Sequence, residues 1–224
     1  MQYHIQTDPI YEAFKTPCDC PLCKIENDVQ ERLLSQYLSD AVMEPSARVE
    51  VNKYGFCSKH LALLFQNKNK LGLSLQLETR LGTLREAVQV VNSYKKALKQ
   101  AEELSSTMET CVICNAQNKT MPRYAYTIAQ MYANEADFVP LFQKCGGFCL
   151  PHYTLLLRES KKAGSKTAAF LSDLTYVQGR AIDRTREALD RFAMKFDYRN
   201  AGSGVKPDPE TVPEAIRRLK GRIV

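Results

Sequence analysis

The sequence of 224 residues lacks any apolar run long enough to cross a bilayer, since the best stretch, Leu61 to Phe65, ends at Gln66. Its first eight residues have neither a basic start nor an apolar segment, so they do not form a secretory signal. These two absences predict a cytoplasmic protein with no membrane partner. A reducing cytoplasm keeps thiols free, which favours metal binding or redox chemistry over disulfides for the eight cysteines.

The chain also lacks the motifs of common catalytic sites. It has no glycine-rich phosphate loop and no nucleophile elbow. Zinc deaminases carry a His-x-Glu motif, whereas His60 is followed here by Leu-Ala and His152 by Tyr-Thr. The sequence therefore favours a protein that is not an enzyme.

Strand-like alternation is scarce and helical spacing is common, so we expect an all-α fold. Apolar residues after Cys23 recur at steps of three and four, and Pro45 ends that helix. Two long helices are predicted farther along, and we expect them to pack together. One carries the near-heptad series Leu77, Leu81, Leu84, Val88, Val91, Lys95 and Leu98, and the other carries Phe170, Leu174, Val177, Ala181, Ala188, Phe192 and Phe196.

The chain repeats itself. Cys20-Pro-Leu-Cys23 matches Cys111-Val-Ile-Cys114 at an offset of 91 residues, and Gly55-Phe-Cys57-Ser-Lys-His60 matches Gly147-Phe-Cys149-Leu-Pro-His152 at an offset of 92. We predict two diverged helical copies, residues 1–106 and 107–199. Residues 200–224 are predicted to be a linker followed by a short basic helix, Glu214 to Lys220.

Each copy supplies a complete set of zinc ligands. A Cys-x-x-Cys pair and a Cys-x-x-His pair at a helix start can each direct two ligands at one ion. The spacing predicts two structural zinc ions, one per copy, with an iron–sulfur cluster as the alternative for the same ligands. A competing interpretation is that these are buried free cysteines and capping histidines. The predicted sets are Cys20, Cys23, Cys57 and His60 in the first copy, and Cys111, Cys114, Cys149 and His152 in the second.

Three further residues of these types have no place in the repeat. Cys18 and Cys145 stand opposite Glu109 and Lys53, so we interpret them as bystander thiols. His4 has no partner pattern and is interpreted as a surface or core residue.

A family resemblance rests on three segments. Asp8-Pro-Ile-Tyr-Glu-Ala-Phe14, the following Cys20-Pro-Leu-Cys23 and the two Gly-Phe-Cys-x-x-His segments resemble an uncharacterised family of bacterial proteins, mostly from Firmicutes, labelled as a domain of unknown function. The resemblance covers most of the chain. It implies a cytoplasmic, helical, metal-binding protein and implies no activity or partner.

Closed zinc sites and long amphipathic helices favour a module that binds another protein through grooves between its helices. A second hypothesis is a thiol redox sensor that releases zinc on oxidation. A third is weak nucleic-acid binding, because residues 158–224 carry 15 Lys and Arg against 9 Asp and Glu, while residues 1–157 carry 16 of each. Its candidate phosphate contacts are Arg180, Arg184, Arg191 and Arg199. The oligomeric state stays open.

Overall fold

The computed structural model describes residues 7–196 and 208–222, and all its regular elements are helices. No β-strand occurs within these ranges, which confirms the predicted all-α class. A 3-10 segment, Ser160–Lys166, precedes the last long helix. The α-helices are α1 (Asp8–Lys15), α2 (Pro21–Leu38), α3 (Asp40–Met43), α4 (Pro45–Tyr54), α5 (Ser58–Gln66), α6 (Lys70–Ala87), α7 (Tyr94–Met108), α8 (Val112–Asn134), α9 (Phe138–Lys144), α10 (Leu150–Glu159), α11 (Thr167–Met194) and α12 (Thr211–Lys220).

The chain divides into two compact units that do not coincide with the predicted ranges 1–106 and 107–199. Unit one comprises residues Met1–Asn27 and Thr120–Val224, and unit two comprises Asp28–Lys119. The boundaries therefore fall inside α2 and α8. Most of the predicted linker, residues 200–207, lies outside the described part of the chain.

Unit one is built around aromatic side chains. Phe142 lies at the centre of this cluster, with its ring 5.4 Å from Tyr132, 5.7 Å from Phe148 and 5.3 Å from Phe170. Helix α11 faces the cluster through the predicted series, which is buried from Phe170 to Ala181, whereas Phe196 at its end is exposed. The basic helix predicted from Glu214 to Lys220 falls within α12, which packs against α10 and α11.

Unit two has an aliphatic core drawn from the end of α2, from α4 to α6 and from the start of α8. Leu38, Val51, Leu64, Leu73 and Ile113 lie at its centre. Gln76 is also buried and donates to the carbonyl of Tyr37 at 3.3 Å. The described helices of this unit thus enclose a core of their own.

The helix predicted from Leu77 to Leu98 is interrupted. Helix α6 ends at Ala87, and α7 begins at Tyr94 with Ser93 as its N-cap, where the Ser93 hydroxyl accepts from the backbone N–H of Lys96. The intervening Val90, Val91 and Asn92 have lower helix propensity than the Leu- and Lys-rich flanks, so the break falls among them. Leu81, Val88 and Leu98 of the predicted seam are exposed.

No helix in the described ranges has the length and apolarity that a membrane span requires.

Candidate metal centres

The eight predicted ligands lie together in two groups of four, but the groups cross the two copies. We call Cys20, Cys23, Cys149 and His152 centre I, and Cys57, His60, Cys111 and Cys114 centre II. Within each centre the candidate ligand atoms lie within 4.8 Å of one another. Each Cys-x-x-Cys pair thus meets the Cys-x-x-His pair of the other copy. The predicted pairing within one copy is wrong.

The crossed pairing follows the division into two units. Helix α2 begins in unit one and ends in unit two, whereas α8 begins in unit two and ends in unit one. The Cys-x-x-His pair that comes after each long helix therefore belongs to the other unit. All four residues of centre I lie in unit one, and all four residues of centre II lie in unit two.

Every ligand pair stands at the start of a helix. Cys57 and Cys149 are the N-cap residues of α5 and α10, and their carbonyls accept from the N–H groups of Leu61 and Tyr153 at 2.9 and 2.8 Å. The Cys-x-x-Cys pairs likewise begin α2 and α8. Two helix N-termini therefore meet at each centre, and their dipoles favour the thiolate form that binds metal.

The interatomic distances match a tetrahedral site. Metal–sulfur bonds of about 2.3 Å and metal–nitrogen bonds of about 2.0 Å place the ligand atoms of a tetrahedron roughly 3.5 to 3.8 Å apart. In centre I, the Cys23 and Cys149 sulfurs are 3.6 Å apart, and His152 Nδ1 is 3.4 Å from Cys23 Sγ. In centre II, the Cys57 and Cys114 sulfurs are 3.8 Å apart, and His60 Nδ1 is 3.4 Å from Cys114 Sγ. Both groups can hold a metal ion.

Both histidines turn Nδ1 toward the sulfurs, which leaves Nε2 for a second contact. His152 Nε2 lies 3.8 Å from a carboxylate oxygen of Glu26. His60 Nε2 is buried and makes no hydrogen bond of good geometry with the described residues, although the Gln117 side chain interacts with His60. Glu26 and Gln117 are related by the same offset of 91 residues as the Cys-x-x-Cys pairs. Sequence analysis missed both, and this offset could have found them.

The two histidines differ in basicity because of these contacts. Burial lowers the pKa of His60 to about 4, and nearby Lys59 adds to the effect. Burial also opposes protonation of His152, but its contacts with Cys20 and Glu26 outweigh burial and raise its pKa. A carboxylate that orients a metal-bound imidazole also makes it a better electron donor. Centre I therefore has the more basic imidazole.

The close approach of the sulfurs and their burial also shift the pKa values of the cysteine thiols. Contacts with Cys20 and Cys23 lower the pKa of Cys149 to about 4. Burial raises the pKa of Cys114 to about 12. Thiolates held this close repel one another, so some of the sulfurs keep a proton. A bound metal ion would replace those protons and neutralise the negative charge.

The segments that carry the two ligand pairs are joined differently at the two centres. In centre II, the backbone N–H of Val112 donates to the carbonyl of Gly55 at 3.0 Å. The equivalent of Val112 in the other copy is Pro21, which has no N–H and cannot donate. Centre I is instead joined by Arg218 of α12, which donates to the carbonyls of Asp19 at 2.7 Å and Phe148 at 3.4 Å.

The remaining cysteines lie outside both groups. Cys145 is buried, which raises the pKa of its thiol to about 11, and Cys18 is half-buried with a pKa that burial also raises. Cys18 nevertheless lines a cavity of about 260 Å³ together with three ligands of centre I. His4 and Arg199 lie outside the described residues.

The arginines proposed for phosphate contact are largely engaged. Arg180 and Arg184 donate to the carbonyls of Gln143 and Gly146, and Arg191 lies 3.8 Å from Glu187. Arg217 pairs with Asp19 and Glu210, and Arg218 is 5% exposed. These contacts engage five arginines of the C-terminal part with other groups of the protein.

Comparisons with known proteins agree with the predicted family. An uncharacterised 23.9 kDa protein encoded in the xynA 3′ region of Caldicellulosiruptor sp. (strain Rt8B.4) is 21% identical over 181 residues, which cover 81% of this chain and 84% of that protein. No solved structure matches the chain significantly. The model of one family, described as a family of unknown function, matches residues 1–224. The chain therefore belongs to the family of unknown function DUF6062.

Proposed function

We propose that this protein is a cytoplasmic interaction module whose helices are held by two structural zinc ions. The geometry of the two centres carries the metal assignment, because four protein ligands surround each position and leave none for a water or a substrate. Three sulfurs and one imidazole are a common ligand set for structural zinc. This closed arrangement supports a stabilising role for the ions.

The exposed helix α7 supports the interaction role. None of its 15 residues is buried, although it carries apolar side chains along its length. A helix of this length is marginally stable in water without tertiary packing. Tyr94 and Met108, at its two ends, are more than two-thirds exposed. A partner protein that covers this helix would stabilise it.

Metal analysis of protein purified without added metal tests the first part of the proposal. We expect close to two zinc ions per chain and a colourless sample. A brown sample that contains iron and acid-labile sulfide would instead support the iron–sulfur alternative and contradict the zinc assignment.

Photo-crosslinking in cells tests the interaction role. A benzoylphenylalanine residue at position 98, on the exposed side of α7, should yield a defined covalent adduct under illumination. The matched control places it at Lys161, an exposed residue of unit one. An adduct from position 98 but not from position 161 supports the proposal, and the absence of any adduct from position 98 contradicts it.

A thiol redox sensor is the second candidate, and the position of Cys18 favours it. Cys18 shares its cavity with Cys20, Cys23 and Cys149, and Lys24 and Arg222 also line this cavity. Peroxide could oxidise two of these thiolates to a disulfide, be reduced to water, and release the zinc ion. Zinc release to a chromogenic chelator at micromolar peroxide, reversed by added thiol, would favour this candidate. We expect the closed centres to resist.

The weak nucleic-acid hypothesis has less support, because three of the candidate arginines, Arg180, Arg184 and Arg191, already have protein partners. We expect no specific complex with duplex DNA or RNA at physiological salt. An anisotropy titration that shows sub-micromolar binding at about 150 mM salt would contradict this expectation.

A further inference from the structure

We propose that α7 is a self-association surface, and that the partner it binds is the α7 helix of a second copy of this chain in an antiparallel arrangement. This inference rests on the proposed interaction role and names its partner. Two features support it: the exposure of one face of α7 and the distribution of charge along the helix.

The exposed face of α7 has the spacing of a helix-pairing seam. Tyr94, Leu98, Ala101, Ser105 and Met108 alternate steps of four and three residues, and all five are exposed. The neighbouring stripe, which begins at Ala97, is half-buried. The seam therefore borders the less exposed side of α7. Side chains repeated at this spacing interlock with a second helix at a shallow crossing angle.

The charges of α7 are arranged in two blocks. Lys95, Lys96 and Lys99 occupy its first half, and Glu102 and Glu103 occupy its second half. This order opposes the helix dipole, which favours acidic residues at the N-terminus and basic residues at the C-terminus. Lys99 and Glu103 pair within the helix at 3.7 Å, but the charge order still works against the dipole of an isolated α7.

Pairing with an antiparallel copy of α7 would cover the exposed face and compensate the unfavourable charge order. A two-fold axis between Leu98 and Ala101 places Leu98 of each helix opposite Ala101 of the other helix. The basic half of one copy then lies beside the acidic half and the negative dipole end of the other. With a rise of 1.5 Å per residue, Lys95 of one copy and Glu102 of the other lie within about 3 Å along the axis. The surface is thus complementary to itself, as a two-fold interface requires.

Sedimentation of the zinc-loaded chain over a concentration series tests the proposal. The mass should rise from the 25.4 kDa of one chain toward twice that value. Lys95→Glu places two pairs of like charges across the interface and should weaken association about tenfold, and Glu102→Lys should do the same. The control Lys161→Glu, in unit one, should leave association unchanged. Zinc content and circular dichroism verify that each variant is folded.

Charge exchange provides the decisive comparison. An equimolar mixture of Lys95→Glu and Glu102→Lys should associate as strongly as the parent chain, and the double variant should associate with itself. A chain that stays monomeric at all concentrations overturns the proposal. Association that ignores these charges also overturns it, because another surface would then be responsible.

The crosslinking experiment separates this inference from the proposed function. An adduct at position 98 with the mass of two chains supports both. An adduct with a different protein supports the interaction role and overturns self-association. No adduct contradicts both.

Discussion

The two candidate metal centres have the same ligand types and the same placement at helix N-termini, but different parts of the chain surround them. In centre II, the loops that carry the ligands bond directly, through Val112 and Gly55. In centre I, Pro21 removes the equivalent donor, and Arg218 connects the two loops from outside the repeat. The comparison teaches that the repeat specifies the ligands, whereas residues outside it compensate for what each copy has lost.

The largest expected effect distinguishes the crossed pairing from pairing within one copy. The double variant Cys20→Ser with Cys57→Ser removes one ligand from each centre, so we expect both zinc ions to be lost. Cys20→Ser with Cys149→Ser damages only centre I, so one ion should remain. Zinc analysis after gel filtration measures the difference. The reverse result would restore the pairing within each copy.

Arg218 should matter more than its neighbour Arg217. Arg218→Ala leaves the carbonyls of Asp19 and Phe148 without this donor, and we expect unit one to lose about 2 to 4 kcal/mol of stability. Arg217 is one-third exposed, so Arg217→Ala should cost less than about 1 kcal/mol. Urea unfolding followed by circular dichroism gives both values. Equal losses would show that Arg218 does not join the loops of centre I.

Val112→Pro makes centre II resemble centre I. Proline is tolerated in the first turn of a helix, so the change removes the hydrogen bond to the buried carbonyl of Gly55 and alters the packing of one buried side chain. We expect a cost of about 2 kcal/mol and faster zinc release from centre II. Proline at exposed Val49 is not a matched control, because it would break α4 from the inside. Pro21→Val, at the equivalent position of centre I, is the appropriate control and should be nearly neutral. A neutral Val112→Pro would contradict the joining role of this bond.

Glu26→Gln makes the histidine contact of centre I resemble that of centre II. The Glu26 carboxylate is partly exposed and 3.8 Å from the imidazole, so we expect only about a tenfold faster release of one zinc ion. Release to a chelator should show one accelerated phase and one unchanged phase. If both phases change together, the two centres are coupled and the contact is not local.

The sequence was sufficient for the helical class and for the eight clustered ligands, because ligand type and spacing are local properties. It was not sufficient for the pairing, because ligand spacing does not show that α2 leads from one compact unit into the other and that α8 leads back. The break between α6 and α7 was missed because apolar spacing continues through Val88 and Val91, although the local propensity falls. Arg218 could not be found, since its role exists only once α12 docks.

The crossed pairing also fixes an order of events during translation. Ribosomes synthesise Cys20 and Cys23 first, but their partners Cys149 and His152 follow about 130 residues later. At about 5 to 20 residues per second, the delay is on the order of ten seconds. Centre II has all its ligands once Cys114 is made. The nascent chain can thus complete its second ligand set while its first two thiols still await theirs.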